Sequence, residues 1–254
     1  MRSFLAGLGK VARRGRAVVL VGVLLGLAAG VLESDLCRVK IVWLEGPRRD
    51  VLQKARHLLG DLGPMSVVLT PVGRLARAVE ADPRVKKVTV ARRLPDELIL
   101  HVEPRRPAAV VTPRQRPDWY LLVDAEGMAF DIADAPVPGL PYLHCLPVQC
   151  AGPGHPLDAT AMSLYRQVLA GLRLGGASVR KVDFSDLTKV VAYLSDGTKA
   201  KIGLPDNLER KFALVGLIAQ QIRRQGMKAQ YIDVRVVTQP VFLPQRAQGP
   251  NGRS

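Results

Sequence analysis

Aromatic side chains make up only 5% of this 254-residue chain. Proteins that stack nucleic-acid bases want more aromatics than this, grouped and interleaved with arginines. Histidines number four: His57, His101, His144 and His155. His57 falls on a helical pattern and His101 on a strand pattern, where solvated or core roles outweigh catalytic ones. No phosphate loop, G-x-S-x-G elbow, GxGxxG turn or H-E-x-x-H helix occurs. The acidic pairs Asp183/Asp186 and Asp96/Glu97 fall in turns, where carboxylates are usually solvated. With no nucleophile–base pair in sight, the sequence predicts no enzyme, no cofactor, no metal and no small-molecule substrate.

Cysteines number three. Cys37 has no obvious partner. Cys145 and Cys150 fall close to His144 and His155, and these ligand types suit zinc. The spacing is not a standard one, however, and the loop is rich in Pro and Gly. Free thiols rank first, a small-loop Cys145–Cys150 disulfide in an oxidising compartment second, and a metal site last.

What is present is an ordinary globular content, 48% hydrophobic and 23% charged, with room for one large domain or two small ones. Net charge is +15, so anionic partners must be weighed. The excess is concentrated. Residues 1–16 hold five basic side chains and no acid, 37–116 hold 17 basic and 8 acidic, and 117–254 hold 15 and 12. Anionic lipid headgroups attract such a surface as readily as phosphodiesters do, and a membrane-proximal basic face is preferred to nucleic-acid binding.

Residues 17–32 (AVVLVGVLLGLAAGVL) carry no charge. Arg13, Arg14 and Arg16 precede them, and Glu33 and Asp35 follow. Basic flanks stay cytoplasmic, so the pattern predicts a single-pass transmembrane helix with the N-terminus inside and the rest exported. Sixteen helical residues reach about 24 Å, against a hydrocarbon core of about 30 Å; snorkelling by Arg16 and local thinning would close the gap. A cleaved signal peptide is the alternative, and it exports the same domain. Gly22, Gly26 and Gly30 fall on one helix face suited to close packing in the membrane, although glycine is common in membrane helices generally.

Beyond Cys37, Val39, Ile41 and Trp43 sketch a half-buried strand ending at Gly46-Pro47. Residues 50–59 carry a helical pattern. A second helix is predicted from a Thr70 cap with Pro71 in its first turn, an apolar face of Val72, Leu75, Ala76 and Val79, and a stop at Asp82-Pro83. Val85, Val88 and Val90 suggest a strand, Leu94 to Glu97 a turn, and Leu98 to Val102 a second strand. Helices would then cover one face of a three-stranded sheet. Farther on, 119–123 and 128–132 read as a hairpin across Asp124 to Gly127. Residues 134–157 read as an irregular crossing, and 158–174 as a helix capped by Asp158 or Thr160. Strands are expected at 179–184, 189–194 and 198–203, a helix at 206–225, a last strand at 230–237, and disorder from 244.

These residues resemble a known family. Val42-Trp43-Leu44-Glu45-Gly46, Asp82-Pro83-Arg84-Val85 and ARRLPDELILHVEPRRPAAV at 91–110 resemble a POTRA domain of the type found in the bacterial cell-division protein family FtsQ/DivIB. VDAEGMAF at 123–130, LPDNLERKFALV at 204–215 and YIDVR at 231–235 are similar to that family's following domain. The resemblance implies an α+β fold in five parts. These are a basic cytoplasmic N-terminus at 1–16, a transmembrane helix at 17–34, a β-α-α-β-β POTRA domain at 37–105, a larger mixed β domain with helices at 106–243, and a disordered tail at 244–254.

It also implies a divisome scaffold of the septum that holds FtsB-like and FtsL-like proteins, and membrane lipid through its N-terminal helix, without nucleic acid. The family's partner pairs with the last strand, which the resemblance places at Tyr231 to Val237, with a continuation to Phe242 as the longer alternative. Here that implies Tyr231, Asp233, Arg235, Val236, Val237 and Thr238 as partner-binding residues, with Arg235 offering a charge-assisted contact to a carboxylate. Tyr231 and Asp233 could instead simply stabilise the sheet. Two departures stand out: Val236 occupies a position often aromatic in relatives, and Pro240 removes a backbone donor from the pairing edge. A POTRA module for outer-membrane protein assembly or secretion is the runner-up; it would call for several such units or a barrel downstream.

Overall fold

The computed structural model describes residues 71–149, 152–176 and 178–245. It adds the backbone of one strand, Ile41–Glu45, and isolated helical or turn positions at 21–23, 25, 26, 30, 49, 53, 57 and 67. Most of the expected membrane segment at 17–34, the helix at 50–59, Thr70, Cys37, Cys150 and the tail from 246 lie outside the described residues. Among the described residues no helix is long and apolar enough to cross a membrane. The fold is mixed α+β, in two compact units, Met1–Pro104 and Arg105–Ser254.

The first unit is a three-stranded sheet in the order β1-β3-β2, built from β1 (Ile41–Glu45), β2 (Val85–Arg93) and β3 (Glu97–Pro104). β3 is central, parallel to β1 and antiparallel to β2. Its alternating pattern sends Leu98, Leu100 and Val102 to one face. There α1 (Val72–Glu80) lays down Leu75 and Val79. Leu98 and Leu100 are fully buried, and each contributes about 1.5–3 kcal/mol. The N-cap of α1 is Pro71, not Thr70: its ψ of 82° is non-helical, and its carbonyl accepts from the N–H groups of Arg74 and Leu75. After α1, Asp82 turns the chain by accepting from the Arg84 backbone N–H, while the Arg84 guanidinium closes on the same carboxylate.

The second unit is one ten-stranded sheet. In chain order its strands are β4 (Pro107–Pro113), β5 (Tyr120–Asp124), β6 (Met128–Ala133), β7 (Tyr142–Leu146), β8 (His155–Pro156), β9 (Val179–Asp183), β10 (Val190–Leu194), β11 (Lys199–Gly203), β12 (Ala229–Asp233) and β13 (Val241–Pro244). Their spatial order is β13-β12-β11-β10-β9-β7-β4-β5-β6-β8. Two helices, α2 (Ala159–Gly175) and α3 (Leu208–Arg224), bury their apolar stripes in one core with the sheet. Asp158 caps α2 by accepting from the Ala161 N–H. The crossover through α3 makes β12 run parallel to β11, the usual consequence of a helical connection.

The β5–β6 hairpin forms as the sequence predicts. The Asp124 carboxylate accepts from Glu126 and Met128, and Gly127 takes a φ of 85°. Arg105 clamps the other oxygen of that carboxylate at 2.6 Å. α3 buries a lysine no apolar pattern announces: Lys211 is 1% exposed, and its ammonium donates to the Leu204 carbonyl and the Asp206 carboxylate.

Three expectations need correction. Residues 134–157 are not an irregular crossing, because they contain β7 and β8. β4 falls in a stretch, 107–113, where no strand is expected. The last strand is not 230–237: β12 stops at Asp233, and β13 follows as a separate strand including Pro244. The physical reason lies in Asp233, whose carboxylate accepts from the Arg235 N–H and turns the chain out of the sheet.

Candidate partner-binding edge

β13 pairs with β12 in antiparallel register, Ile232 beside Phe242 and Tyr231 beside Leu243. Among the described residues it stands at the end of the sheet order, with a neighbour on one side only. Its exposed residues are apolar: Val241 is 55% exposed, Phe242 40% and Leu243 41%. An open edge carrying such residues offers unpaired backbone groups together with apolar surface, which most proteins avoid unless a partner strand covers them.

The expected site residues divide between strand and loop. Tyr231 and Asp233 lie on β12, flanked by β11 and β13, so neither is at the edge. Tyr231 is half-buried, with the Lys201 ammonium 3.7 Å from its ring centroid. Arg235, Val236, Val237 and Thr238 do not continue the strand but form the connection to β13, closed by Gln239 N–H donating to the Val236 carbonyl. Pro240 therefore does not interrupt β12; it immediately precedes β13. Val236 is 57% exposed.

Arg235 is already engaged. Its Nε and Nη2 grip the Asp233 carboxylate at 3.0 and 2.8 Å, a fork that fixes the guanidinium plane while most of the side chain stays in water. Burial raises the Asp233 pKa, but the Arg235 contacts outweigh it and hold the carboxyl below its ordinary value. The Arg235 stem packs on Gly203, whose φ of 75° and missing Cβ make the room. Asp233 is thus a positioning residue for Arg235.

On β9, Asp183 accepts from both Ser185 donors and pairs with Lys181 at 2.9 Å. Burial alone would raise its pKa, yet these contacts lower it from 3.8 to about 2. A depressed carboxylate adds stability above its unfolded pKa and loses it as pH falls through the folded value. The wild type should therefore lose about 1–2 kcal/mol between pH 4 and 2 through this group, the side chain being partly solvated. Asp183→Asn should flatten that part of a chemical-denaturation profile; an unchanged slope would contradict this.

Of the four candidate zinc ligands, the three that are described do not converge. His144 and Cys145 lie on β7, while His155 lies on β8, four strands away in the sheet, roughly 19 Å. Cys150 is outside the described residues. His144 instead meets the Tyr142 hydroxyl at 2.6 Å through Nδ1 and the Cys145 sulfur at 3.3 Å through Nε2. Burial, then the nearby Lys181, lowers its pKa. Gly22, Gly26 and Gly30 are helical and exposed, with nothing within 4 Å of a Cβ built on them. Leu243 went unmarked in the sequence, and Val241 and Phe242 entered only as an extension of the strand expected from Tyr231; their signal is a short VFL run between prolines.

A small three-stranded helix-backed unit joined to a mixed sheet with one open apolar edge defines a POTRA-bearing two-domain protein. Residues 39–105 match the POTRA domain, FtsQ-type, and residues 114–235 match the C-terminal domain of cell division protein FtsQ/DivIB. The chain is also similar to the cell division protein FtsQ of Anaeromyxobacter sp. (strain K), 25% identical over 238 residues, covering 87% of this chain and 77% of that protein. The chain belongs to the FtsQ/DivIB family of cell-division proteins. The C-terminal match stops at Arg235, before β13.

Proposed function

We propose that this chain is a membrane-anchored scaffold of the division septum that binds other cell-division membrane proteins by strand addition at β13. The open, apolar β13 edge is the observation that carries this reading. A partner strand laid against β13 would satisfy its outer backbone groups and cover Val241 or Phe242 and Leu243, backbone pairing giving affinity and side chains specificity. Arg235, held by Asp233 in the connection before β13, would meet a partner carboxylate with its remaining N–H groups. FtsB-like and FtsL-like division proteins are the proposed partners.

The segment at 17–34 would cross the membrane and deliver both domains to the far side, and the POTRA domain would offer a second docking surface. The role is one of binding, not catalysis. Affinity capture with the full chain in detergent tests it. FtsB-like and FtsL-like proteins of the same organism should be retained, and their absence at micromolar concentrations would contradict the proposal.

A further inference from the structure

Four of the chain's five tyrosines stand on the sheet face of the second unit that faces away from α2 and α3. Register places three of them in one row. Tyr142 on β7 lies beside Lys181 on β9, Lys181 beside Tyr193 on β10, Tyr193 beside Lys199 on β11, and Lys199 beside Tyr231 on β12. The residues next to them in sequence, Leu143, Val182, Ala192, Ala200 and Ile232, are fully buried in the helix-backed core, so alternation puts the row on the opposite face. Tyr120, whose ring lies 5.8 Å from that of Tyr142, is the fourth. Four steps between strands give the row a length of about 19 Å, and it ends beside Leu243 on β13.

Tyr–Lys cross-strand pairs contribute only about 0.2–1 kcal/mol each to a sheet, and a chain this poor in aromatics gathers nearly all its tyrosines here. Tyrosine is a favoured residue at protein interfaces. The face is also rich in donors. Asp183 is taken by Lys181 and Ser185, and Asp233 by Arg235. Among the described residues no carboxylate forms an ion pair with Lys199, while Lys201 lies beside Asp233 in register and its charge helps hold that carboxyl ionised without a close ion pair. Lys201 sits over the Tyr231 ring and Lys199 lies 6.0 Å from the Tyr193 centroid, so lysines occupy ring faces that a base or sugar would need. The Tyr142 hydroxyl is held by His144, so what remains for a ligand is the Tyr193 and Tyr231 hydroxyls and the ammonium groups, a surface complementary to carboxylates.

We infer that this row docks an acidic segment of the same polypeptide whose strand pairs with β13. The inference rests on the strand-addition reading and extends it, because the row runs into that edge. Such a charged face acts chiefly on association rate and salt dependence.

The test uses the full chain in detergent, a fluorescein-labelled 16-residue poly-glutamate peptide, and anisotropy at low salt. Lys199→Glu with Lys201→Glu should weaken binding at least tenfold, and Lys199→Gln with Lys201→Gln at least threefold. Lys86→Glu with Lys87→Glu, on exposed positions of β2, should change it less than twofold. Equal binding by the Lys199/Lys201 variants, or an equal loss in the β2 variant, would overturn the inference. The glutamine pair keeps the test valid should charge reversal disturb the fold. A parallel arm measures capture of the FtsB-like exported segment. A β13 variant that still captures it defeats the strand-addition reading, whereas intact poly-glutamate binding by the Lys199/Lys201 variants defeats only the face.

Discussion

Lysine at both Val241 and Leu243 is expected to weaken partner capture by about one to two orders of magnitude while leaving the β domain folded. Both side chains are roughly half exposed in the free domain, so their replacement costs the fold little, within about 0.5 kcal/mol. In the proposed complex each would be covered by the added strand. Fully burying a side chain of this kind is worth about 1.5–3 kcal/mol, and roughly half of that is still to be gained at each, so losing two removes about 1.5–3 kcal/mol, about one to two orders of magnitude in Kd. Two ammonium groups on an edge strand also oppose pairing directly, the device natural sheets use to keep edges single. Isothermal titration against the FtsB-like segment, with circular dichroism as the folding control, reads both effects. Full affinity in the doubly substituted protein would mean that the partner binds elsewhere.

The second large effect is expected in the helix layer. α2 and α3 cross at Gly171, Gly175 and Gly216, where backbone meets backbone. A Cβ at Gly216 would overlap the Gly175 carbonyl, and one at Gly175 would lie 2.6 Å from the Ala213 carbonyl oxygen. A flexible side chain could move aside, but these are main-chain atoms, so the helices themselves must separate. That opens the core shared by Tyr165, Phe212 and Val215 with the sheet. Gly216→Ala should therefore cost about 3 kcal/mol or more, the upper end for overpacking, against a total stability of about 5–15 kcal/mol. A thermal melt of the full chain measures it. A shift of only a degree or two would show that the crossing has slack the structure does not reveal.

Local signals made much of this architecture legible. Apolar alternation in β3, the Asp-Ala-Glu-Gly turn between β5 and β6, the Asp158 cap and the long stripe of α3 each encode an element within a few residues of itself. β4 escaped because Ala109 to Pro113 are all buried, and a strand covered on both faces loses its period of two. β7 was masked by the prolines and glycines around it. β13 is four residues, the last of them Pro244 and the first preceded by Pro240, too short for any periodicity, and its status as the end strand is fixed by pairing rather than by composition.

The site follows the same division. Arg235 was visible as a charged residue after Asp233, but the fork between them depends on a turn that ends β12, which the run of apolar residues at 234, 236 and 237 disguised. The Tyr–Lys row was invisible because its members are drawn from residues 142 to 231 and become neighbours only through sheet register.

The account stands most directly on hydrogen exchange at β13. In the free full-length chain the amides of Val241, Phe242 and Leu243 should exchange fast, as an end strand's do. With the FtsB-like segment bound they should slow by at least tenfold, with β12 following. Protection that leaves β13 unchanged and appears in the POTRA domain instead would contradict the account.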